Sequence, residues 1–242
     1  MTRRIKIGQI GIGHNHGEAK MRSACKLNDL FEVTGYAEED EKWIAQRGGS
    51  EVYRKLRRLS VAELLEQSDA VLVETDVPRL TEYAKLCADA GKHIHMDKPA
   101  SGSLNDFKEL IDAVREKKLV LQLGYMYRYN PAVQKAMQLA KSGSLGRILS
   151  VDAQMSTFHA KWYKEWLSRF DGGSMYIFGS HLVDIVVSLL GEPDTVASFF
   201  RCTDTDGISF PDNTLAVLGN GAALARINVT TEVVKGRRRR HL

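Results

Sequence analysis

Cysteine is scarce in this chain: its 242 residues include three, Cys25, Cys87 and Cys202. They are odd in number and lie far apart without a CxxC pair, which argues against a disulfide framework and fits a reducing cytoplasm. Long apolar runs are also missing, because no stretch approaches the ~20 residues that a membrane span needs. The apolar run after Arg3 and Arg4 is short and broken by glycine, so it indicates a first β-strand rather than a signal peptide.

An excess of positive charge is missing from the body of the chain. The net charge of +4 depends on Lys235 and the four arginines 237–240. Without these residues, 29 basic side chains face 30 acidic ones, so the chain lacks the basic face of a nucleic-acid binder. We expect the arginine run to begin an edge strand or to stay disordered.

The first 124 residues alternate strand-like and helix-like segments. Ser60 with Glu63, and Ser103 with Asp106, form capping-box signatures at two helix starts. Short apolar strands separated by helices predict an α/β fold with a doubly wound, parallel (Rossmann) sheet. The predicted strands are 5–12, 31–37, 70–74, 93–96 and 119–123, and the predicted helices are 18–27, 41–47, 61–67, 81–90 and 103–117.

Residues 125–242 have a different character, with consecutive strands that no helix separates. They predict a second α+β domain on a largely antiparallel, open sheet. Because the chain stops soon after a strand, we expect this domain to be truncated. The predicted elements are helices 131–143 and 174–190, strands 147–156, 195–201, 214–218 and 222–229, and an aromatic-rich loop at 156–166.

The loop GIGHNHG (residues 11–17) lies between the first predicted strand and helix. In a GxGxxG fingerprint the first glycine permits a tight turn, and the second lets the backbone approach a pyrophosphate. Gly11 and Gly13 match these positions, whereas His16 occupies the third. A tight turn without a ligand is the alternative explanation.

An acid ends the second predicted strand, where a carboxylate accepts hydrogen bonds from an adenosine ribose. Glu38 holds this position, with Glu39 and Asp40 close enough to blur the assignment. Because its charge would repel a 2′-phosphate, Glu38 favours NAD over NADP.

Two HxH pairs, His14 with His16 and His93 with His95, raise the question of a metal site. Residues i and i+2 of a strand share a face, so His93 and His95 could bind one ion together. No cysteine or well-spaced carboxylate completes either pair, and we therefore expect no metal.

The stretch HIHMDKPA (residues 93–100) ends a predicted core strand with Asp97-Lys98-Pro99. A lysine at the carboxyl end of a central parallel strand faces the crevice where ligands bind. Partial burial would lower the pKa of Lys98 toward neutrality and suit it to proton transfer. The alternative is a solvated lysine at the end of a strand.

Four motifs together resemble a known family. GIGHNHG, AGKHIHMDKPAS, LGYMYRYNPAVQ and GGSMYIFGSHLVD occur in the order and spacing of the Gfo/Idh/MocA oxidoreductases, the glucose–fructose oxidoreductase and inositol dehydrogenase relatives. The resemblance covers essentially the whole chain. It implies a dinucleotide-binding domain (residues 1–124) joined to a substrate and oligomerisation domain (residues 125–242).

The resemblance also implies a set of cofactor residues. The family's Thr-Pro-Asn appears as Thr75-Asp76-Val77, and Leu80 stands where a histidine is usual, so the match is partial. Asp76 would place a negative charge near the cofactor unless it points away. The expected cofactor residues are Gly11, Ile12, Gly13, His14, Asn15, Glu38, Thr75, Asp97, Lys98 and Arg128.

The resemblance implies catalytic roles for Lys98 and His181. The family's Glu-Lys-Pro matches residues 97–99, whose lysine lies between nicotinamide and the substrate hydroxyl. The family pattern GGxxxDxGxHxxD includes His181 and Asp184 here, but Ile177 replaces its first aspartate. On an α-helix Ile177 would lie one turn from His181. A capped core helix is the alternative explanation for His181 and Asp184.

The aromatic-rich loop is the expected substrate lid. Its rings could stack on a sugar, and His159 and Lys161 could bind hydroxyls or a carboxylate. Packing of the aromatic residues inside the protein is the alternative, as is a surface position for Arg128. The expected substrate-binding residues are Lys98, Arg128, His159, Trp162, His181 and Asp184.

The sequence thus predicts an NAD(H)-dependent oxidoreductase that acts on a secondary alcohol of a sugar, cyclitol or related polyol. Lys98, helped by His181, would move the hydroxyl proton. Two alternatives stay open: a relative that uses NAD in glycoside hydrolysis or elimination, and a non-catalytic protein that binds nucleotide or sugar. We expect a cytoplasmic homo-oligomer, formed through the second-domain sheet, without a nucleic-acid or membrane partner.

Overall fold

The structure, a computed structural model, describes residues 3–100 and 103–242. The chain divides into two units, Met1–Gly124 and Tyr125–Leu242. Unit 1 is built on a five-stranded sheet in the order β2-β1-β3-β4-β5, in which every neighbouring pair is parallel. This sheet confirms the predicted α/β class.

The strands of unit 1 are β1 (Ile5–Ile10), β2 (Phe31–Ala37), β3 (Ala70–Val73), β4 (His93–Met96) and β5 (Leu121–Leu123). Its helices are α1 (Gly17–Lys26), α2 (Glu41–Trp43), α3 (Val61–Gln67), α4 (Leu80–Asp89) and α5 (Leu104–Glu116). A π-turn at Ile44–Gly48 and 3₁₀ turns at Tyr53–Lys55 and Val77–Arg79 complete the unit. Both predicted capping boxes, Ser60 with Glu63 and Ser103 with Asp106, are confirmed.

Strand order determines where unit 1 can bind a ligand. β2 lies on one side of β1 and β3 on the other, so the direction of winding reverses at β1. In open parallel sheets ligands bind beyond the carboxyl ends of the strands at such a reversal. The loops that follow β1, β3 and β4 therefore frame the candidate site.

Unit 2 is built on a second five-stranded sheet in the order β10-β6-β9-β8-β7. Only β6 and β9 are parallel, so the largely antiparallel sheet is confirmed. Its elements are a 3₁₀ turn Met126–Tyr129, α6 (Pro131–Lys141), β6 (Ser150–Ser156), α7 (Lys161–Leu167), a π-turn Met175–Gly179, α8 (Ser180–Leu190), β7 (Thr195–Arg201), a 3₁₀ turn Thr205–Gly207, β8 (Asn213–Asn220), β9 (Ala223–Thr230), a 3₁₀ turn Gly236–Arg238 and β10 (Arg240–His241).

The core of unit 2 lies between α8 and one face of this sheet. Leu182 and Val186 of α8 pack with alternate residues of the strands, including Ala153 of β6 and Ile227 of β9. Strand β7 buries none of its residues. The β7 edge of the sheet is therefore exposed.

Two of the predicted helices contain an irregular turn. The residues predicted as helix 174–190 are helical, but Met175–Gly179 form a π-turn before α8, and the residues predicted as helix 41–47 change to a π-turn at Ile44. A π-turn has a wider repeat than an α-helix. The α-helical relation assumed between Ile177 and His181 therefore does not apply.

The loop predicted at residues 156–166 was also wrong in its second half, which forms α7. Lys164, on the buried face of this helix, bonds Asp206 at 3.0 Å and Glu232 at 2.8 Å. Tyr163, Trp166 and Phe170 form a chain of ring contacts at helical spacing. The ion pairs of Lys164 and the ring contacts along one face stabilise these residues as a helix rather than a loop.

The arginine run ends in β10, which pairs antiparallel with β6 at an edge of the sheet. This confirms the first of the two alternatives predicted for the run. Arg240 donates a hydrogen bond to the hydroxyl of Tyr127 at 3.0 Å.

Two glycines of unit 2 offer a matched stability test. Gly173 has φ +47, and a Cβ there would lie 2.4 Å from the Pro211 carbonyl oxygen, whereas Gly143 has φ +75 with open space around it. Gly143→Ala should cost about 1 kcal/mol, the ordinary cost of a left-handed non-glycine residue. Gly173→Ala should cost at least about 2 kcal/mol, because a backbone clash adds to this strain. Equal losses in urea unfolding would contradict the expected order.

Candidate dinucleotide site and buried charged cluster

Three loops meet the carboxyl edge of the unit 1 sheet. Residues 11–16 follow β1, residues 74–76 follow β3, and residues 97–99 follow β4. The N–H of Gly11 donates to Ala37 at 2.8 Å, and the N–H of His14 donates to Glu74 at 2.9 Å. The loop after β1 is therefore held by the ends of both neighbouring strands.

Glycine is required in this loop because its backbone lies against other backbone. A Cβ on Gly11, which has φ +83, would lie 2.5 Å from the backbone of Thr75. A Cβ on Gly13 would lie 2.8 Å from the Trp43 indole nitrogen. Any larger residue would push the loop away from the end of β3.

Gly17 takes the role that the sequence assigned to the third fingerprint position. A Cβ there would meet Gln9, Glu74 and Tyr53 at 3.2 Å, so Gly17 permits close packing between α1 and the sheet. Close helix–sheet packing is the role of the third fingerprint glycine. His16, which occupies the third position of the GxGxxG spacing, lies one residue before this glycine.

The carboxylate of Glu38 organises the loops at the end of β2. It accepts N–H groups from Ile12 at 2.8 Å, Glu39 at 3.0 Å and Asp40 at 2.9 Å. A carboxylate offers about four acceptor sites. Glu38 thus holds the loop backbone and can accept one further hydrogen bond.

A cleft of about 530 Å³, counting its open mouth, lies beside the glycine loop. Arg79 stacks on the Tyr83 ring, whose hydroxyl donates to Glu39 at 2.9 Å. The lining residues are Ile10, Gly11, Ala37, Glu38, Glu39, Asp40, Lys42, Trp43, Val61, Thr75, Asp76, Arg79 and Tyr83.

These residues fit the adenosine half of a dinucleotide. Within the described part of the chain, the N–H groups of Gly13 and Asn15 donate no hydrogen bond. Such groups before the N-terminus of α1 suit phosphate oxygens. Of the predicted cofactor residues, Gly11, Glu38 and Thr75 line the cleft. The carboxylate of Asp76 accepts the N–H of Val77 at 3.0 Å and caps the turn that follows β3.

Arg47 is a loop-binding residue that the sequence did not reveal. Its guanidinium donates to the carbonyls of Ile12 at 3.2 Å and His14 at 2.6 Å, and to the Asn15 side chain at 3.0 Å. Burial lowers its pKa from the ordinary arginine value. The irregular π-turn that carries Arg47 hides this position from a helical pattern.

Lys98 is buried, with 4% of its surface exposed. Burial lowers its pKa to about 8, although the charge of Asp97 opposes the shift. Its backbone N–H donates to Asp97 Oδ1 at 2.6 Å. The sequence predicted this lowering of the pKa. At neutral pH a fraction of the Lys98 amine is therefore uncharged.

Five ionisable side chains meet where the loop after β1 contacts the ends of β3 and β4. We call this group the charged cluster; its members are His14, His16, Lys20, Glu74 and Asp97. Lys20 Nζ lies 2.5 Å from Asp97 Oδ2 and 2.7 Å from Glu74 Oε1. Both carboxylates are fully buried. Asp97 Oδ2 also lies 3.0 Å from His16 Nδ1 and 3.3 Å from His14 Nδ1.

Burial and charge move the titration of this cluster strongly. Burial lowers the pKa of His14 to about 3, so its ring is neutral at pH 7. Burial also raises the pKa of Glu74. Burial alone would raise the pKa of Asp97, but His16, His14 and Lys20 together hold it below its usual range. Asp97 is therefore the ionised carboxylate of the pair.

The second HxH pair does not form a shared site. His93 is exposed, and its Nδ1 accepts the N–H of Val120 at 3.0 Å. His95 lies 4.0 Å from Glu74 Oε1, and burial lowers its pKa to about 4. The two rings thus have different surroundings.

In unit 2, His181 is buried against aromatic rings. It makes edge contacts with Tyr127 at 4.9 Å and Tyr125 at 5.9 Å between ring centroids. Ile177 is likewise buried. The tyrosines are neighbours that the sequence did not predict, because they precede His181 by more than fifty residues.

Arg128 and Asp184 form a two-pronged ion pair. Arg128 donates to the Asp184 carboxylate from Nε at 2.7 Å and from a terminal nitrogen at 2.5 Å. Such fork geometry fixes both side chains. The pair uses two of the five N–H donors of Arg128, which leaves the others available to a ligand.

His159 and Trp162 have opposite surroundings. His159 stacks on Tyr163 at 4.2 Å and on Phe178 at 5.4 Å, and burial lowers its pKa to about 4. Trp162 has 68% of its surface exposed. The packing alternative thus describes His159, whereas Trp162 and Phe158 are exposed aromatic residues of this segment.

Comparison with known proteins gives two family matches. Residues 5–125 match the model described as oxidoreductase family, NAD-binding Rossmann fold. Residues 133–241 match the model described as GFO/IDH/MocA C-terminal domain. Together the matches include almost all of both units.

Individual relatives agree with these matches. Dehydrogenase aclE of Aspergillus oryzae is 28% identical over 210 residues, which are 81% of this chain and 57% of that protein. The scyllo-inositol 2-dehydrogenase (NADP(+)) IolW of Bacillus subtilis is 26% identical over 80% of this chain and 54% of that protein. The chain thus spans little more than half the length of these relatives.

A solved structure shows the same fold. The WlbA dehydrogenase of Bordetella pertussis, in complex with NADH and UDP-GlcNAcA, has a TM-score of 0.84 at 23% identity. The similarity covers 97% of this chain and 73% of that chain.

The lowered pKa of Lys98 predicts a gain in stability when its charge is removed. An unfolded lysine titrates near 10.5 and Lys98 near 8, so between these values the unfolded chain binds more protons and stability rises with pH. Lys98→Met should therefore stabilise the protein at pH 7 by at most about 3 kcal/mol, and less at pH 10.

Thermal unfolding at both pH values would measure this effect. Lys108→Met, at an exposed position of α5, is the control and should show no such pH dependence. A Lys98→Met protein that is less stable than the wild type at pH 7 would contradict the prediction.

Proposed function

The chain belongs to the Gfo/Idh/MocA oxidoreductase family, and from this premise we propose that it is an NAD(H)-dependent oxidoreductase of a secondary alcohol. The substrate class is a sugar, cyclitol or related polyol. One observation carries the proposal: Lys98 is buried beside the charged cluster, and its pKa is lowered to about 8. Two named dehydrogenases among the relatives support it.

Unit 1 would hold the cofactor, and unit 2 would contribute to substrate binding and oligomerisation. When bound, NAD supplies the acceptor or donor of a hydride. The glycine loop and Glu38 would hold its pyrophosphate and ribose, beside the cleft that Thr75 lines. Arg47 would fix the loop carbonyls, so that the loop N–H groups keep their direction.

Lys98 would carry the proton of the substrate hydroxyl. A pKa of about 8 lets its neutral and charged forms coexist near physiological pH. A general acid–base group works best when its pKa lies near the operating pH. Asp97 would position Lys98, because its Oδ1 accepts the lysine N–H.

His181 would assist the proton transfer, as the family pattern implies. Ile177 replaces the family's acid, and neither Tyr125 nor Tyr127, the ring neighbours of His181, supplies a carboxylate. Lys98 should therefore contribute more to turnover than His181.

The proposed cofactor preference is NAD over NADP. Glu38, Glu39 and Asp40 concentrate negative charge along one wall of the cleft, which disfavours a 2′-phosphate. Lys42 and Arg79 lie on the same cleft and oppose this effect. The relative IolW is named as an NADP(+) enzyme, so the charge balance of this wall needs a direct test.

Two other functions have specific support. Val77, Leu80 and Ile177 are buried apolar residues where the family has polar ones. They favour a non-catalytic protein that binds nucleotide or sugar. A relative named 2,7-anhydro-N-acetylneuraminate hydratase, 27% identical over 79% of this chain, favours non-redox chemistry on a sugar derivative.

We propose a cytoplasmic homo-oligomer that forms through the unit 2 sheet. Val196, Phe199 and Phe200 of β7 are all exposed, and an exposed apolar strand is a common contact surface. In the part of the chain that the structure describes, no helix is both long and apolar enough to cross a bilayer.

The cofactor preference can be measured by thermal stabilisation. NAD at ~100 times its dissociation constant should stabilise the fold by about 2.7 kcal/mol, and NADP at the same concentration should stabilise it less. Glu38→Gln should narrow this difference, because it removes one negative charge from the ribose wall. Glu66→Gln, on the exposed face of α3, is the control. Equal or greater stabilisation by NADP would refute the preference.

The catalytic role of Lys98 can be measured by turnover on a panel of polyols and aldoses. Lys98→Ala should lower turnover by roughly 10²–10⁴ while NAD affinity stays nearly unchanged, since a positioned acid–base group contributes this much. His181→Ala should cost less, and Ile177→Asp should raise the rate.

Lys108→Ala is the control for the loss of a lysine charge. Full activity of Lys98→Ala on a genuine substrate would refute the proposed proton transfer. Sugar binding without turnover across the whole panel would favour the non-catalytic alternative.

A further inference from the structure

Three atoms of the charged cluster that can act as metal ligands lie close together. His14 Nδ1, His16 Nδ1 and one Asp97 oxygen lie within 4.8 Å of one another. His14 Nδ1 accepts the backbone N–H of His16 at 3.3 Å, so this nitrogen carries a lone pair rather than a proton. His16 Nδ1 and Asp97 Oδ2 lie at hydrogen-bond distance, 3.0 Å apart, so metal binding would release the proton between them. Electron-pair donors thus converge on one small volume beneath the loop.

The spacing of these donors matches a metal coordination polyhedron. Zn²⁺ binds histidine nitrogen and carboxylate oxygen at about 2.0–2.1 Å, so neighbouring ligands of a tetrahedral site lie about 3.3 Å apart. Asp97 Oδ2 lies 3.3 Å from His14 Nδ1 and 3.0 Å from His16 Nδ1. Small adjustments of the side chains would complete the geometry.

Glu74 supplies an independent sign of a missing ligand. It is fully buried, and its Oε2 has no hydrogen-bond partner among the described residues. This oxygen lies 3.6 Å from His14 Nδ1. A bound cation would give this buried oxygen a partner.

We propose that His14, His16, Asp97 and Glu74 form a binding site for one divalent transition-metal cation, with Zn²⁺ as its representative. Two imidazoles and two carboxylates suit Zn²⁺ and similar first-row ions, whereas Mg²⁺ prefers oxygen ligands alone. The expectation of no metal assumed that no carboxylate completes an HxH pair. Asp97 does complete one, from a strand end 81 residues after His16.

Lys20 occupies the position of the cation in the metal-free cluster. Its ammonium contacts one oxygen of each carboxylate, Asp97 Oδ2 and Glu74 Oε1. The Lys20 side chain is 21% exposed, so it has a route toward solvent. Metal binding would displace Lys20 from Asp97 Oδ2 and leave its contact with Glu74 Oε1 possible.

The metal would join the loop after β1 to the ends of β3 and β4. His14 and His16 belong to the loop, Glu74 follows β3, and Asp97 follows β4. Since Asp97 Oδ1 holds the backbone of Lys98, the metal would also fix the position of that segment.

Titration of chelator-treated, tag-free protein with Zn²⁺ tests the site without any dinucleotide or substrate. A Cys202→Ser background removes the exposed thiol as a competing ligand. We expect one equivalent of Zn²⁺ to bind and Mg²⁺ not to compete. Co²⁺ in place of Zn²⁺ should give the visible absorption of a tetrahedral nitrogen–oxygen site.

Two variants separate this site from general histidine binding. His16→Ala, at a partly exposed position, should weaken Zn²⁺ affinity by more than roughly 100-fold, since even outer-sphere losses cost 10–100-fold. His93→Ala, in the other HxH pair, is the matched control and should bind as the wild type does. Unchanged affinity in His16→Ala would overturn the proposal, as would the absence of a one-equivalent site in the wild type.

Lys20→Met gives a second readout that does not depend on the histidines. Without the ammonium, the two buried carboxylates lack a cation, so the metal-free variant should unfold at a lower temperature than the wild type. Zn²⁺ should restore its unfolding temperature and bind more tightly than to the wild type. A Lys20→Met protein that folds but binds Zn²⁺ no better would contradict the competition between lysine and metal.

Discussion

Two buried carboxylates at the carboxyl edge of the unit 1 sheet depend on a single lysine for charge balance. Lys20 comes from α1 and contacts both Glu74 and Asp97, so a helix holds together the ends of β3 and β4. Breaking a buried ion pair by removing one partner costs several kcal/mol, because an uncompensated charge remains. The glycine loop above the cluster and the segment that carries Lys98 both rest on this arrangement.

Much of the fold follows from the sequence because its signals are local. The apolar run at β3 and the serine caps of α3 and α5 identify elements through neighbours in the chain. The π-turns were not predictable, since they depend on how a helix adapts to tertiary packing. The helix α7 was missed for a related reason. In the sequence Lys164 resembles a solvated residue, because its partners Asp206 and Glu232 are distant in the chain.

The candidate site was predictable where residues lie at strand ends. Gly11 and Lys98 could be placed at the crevice from the pattern of strands, and the lowered pKa of Lys98 follows from that placement. Arg47 and Lys20 could not be found, because their partners are distant in sequence. The family motifs named His181, but only the structure shows the tyrosine rings around it.

The two oxygens of Asp97 face different parts of unit 1. Oδ2 contacts the loop and helix residues His16 and Lys20, whereas Oδ1 accepts the N–H of Lys98. A ligand that changes the contacts of Oδ2 would therefore also act on the segment that carries Lys98, and thermodynamic linkage would make this coupling reciprocal. We therefore expect ligand association at the loop to take up or release a fractional proton, so that its calorimetric heat varies with the ionisation enthalpy of the buffer.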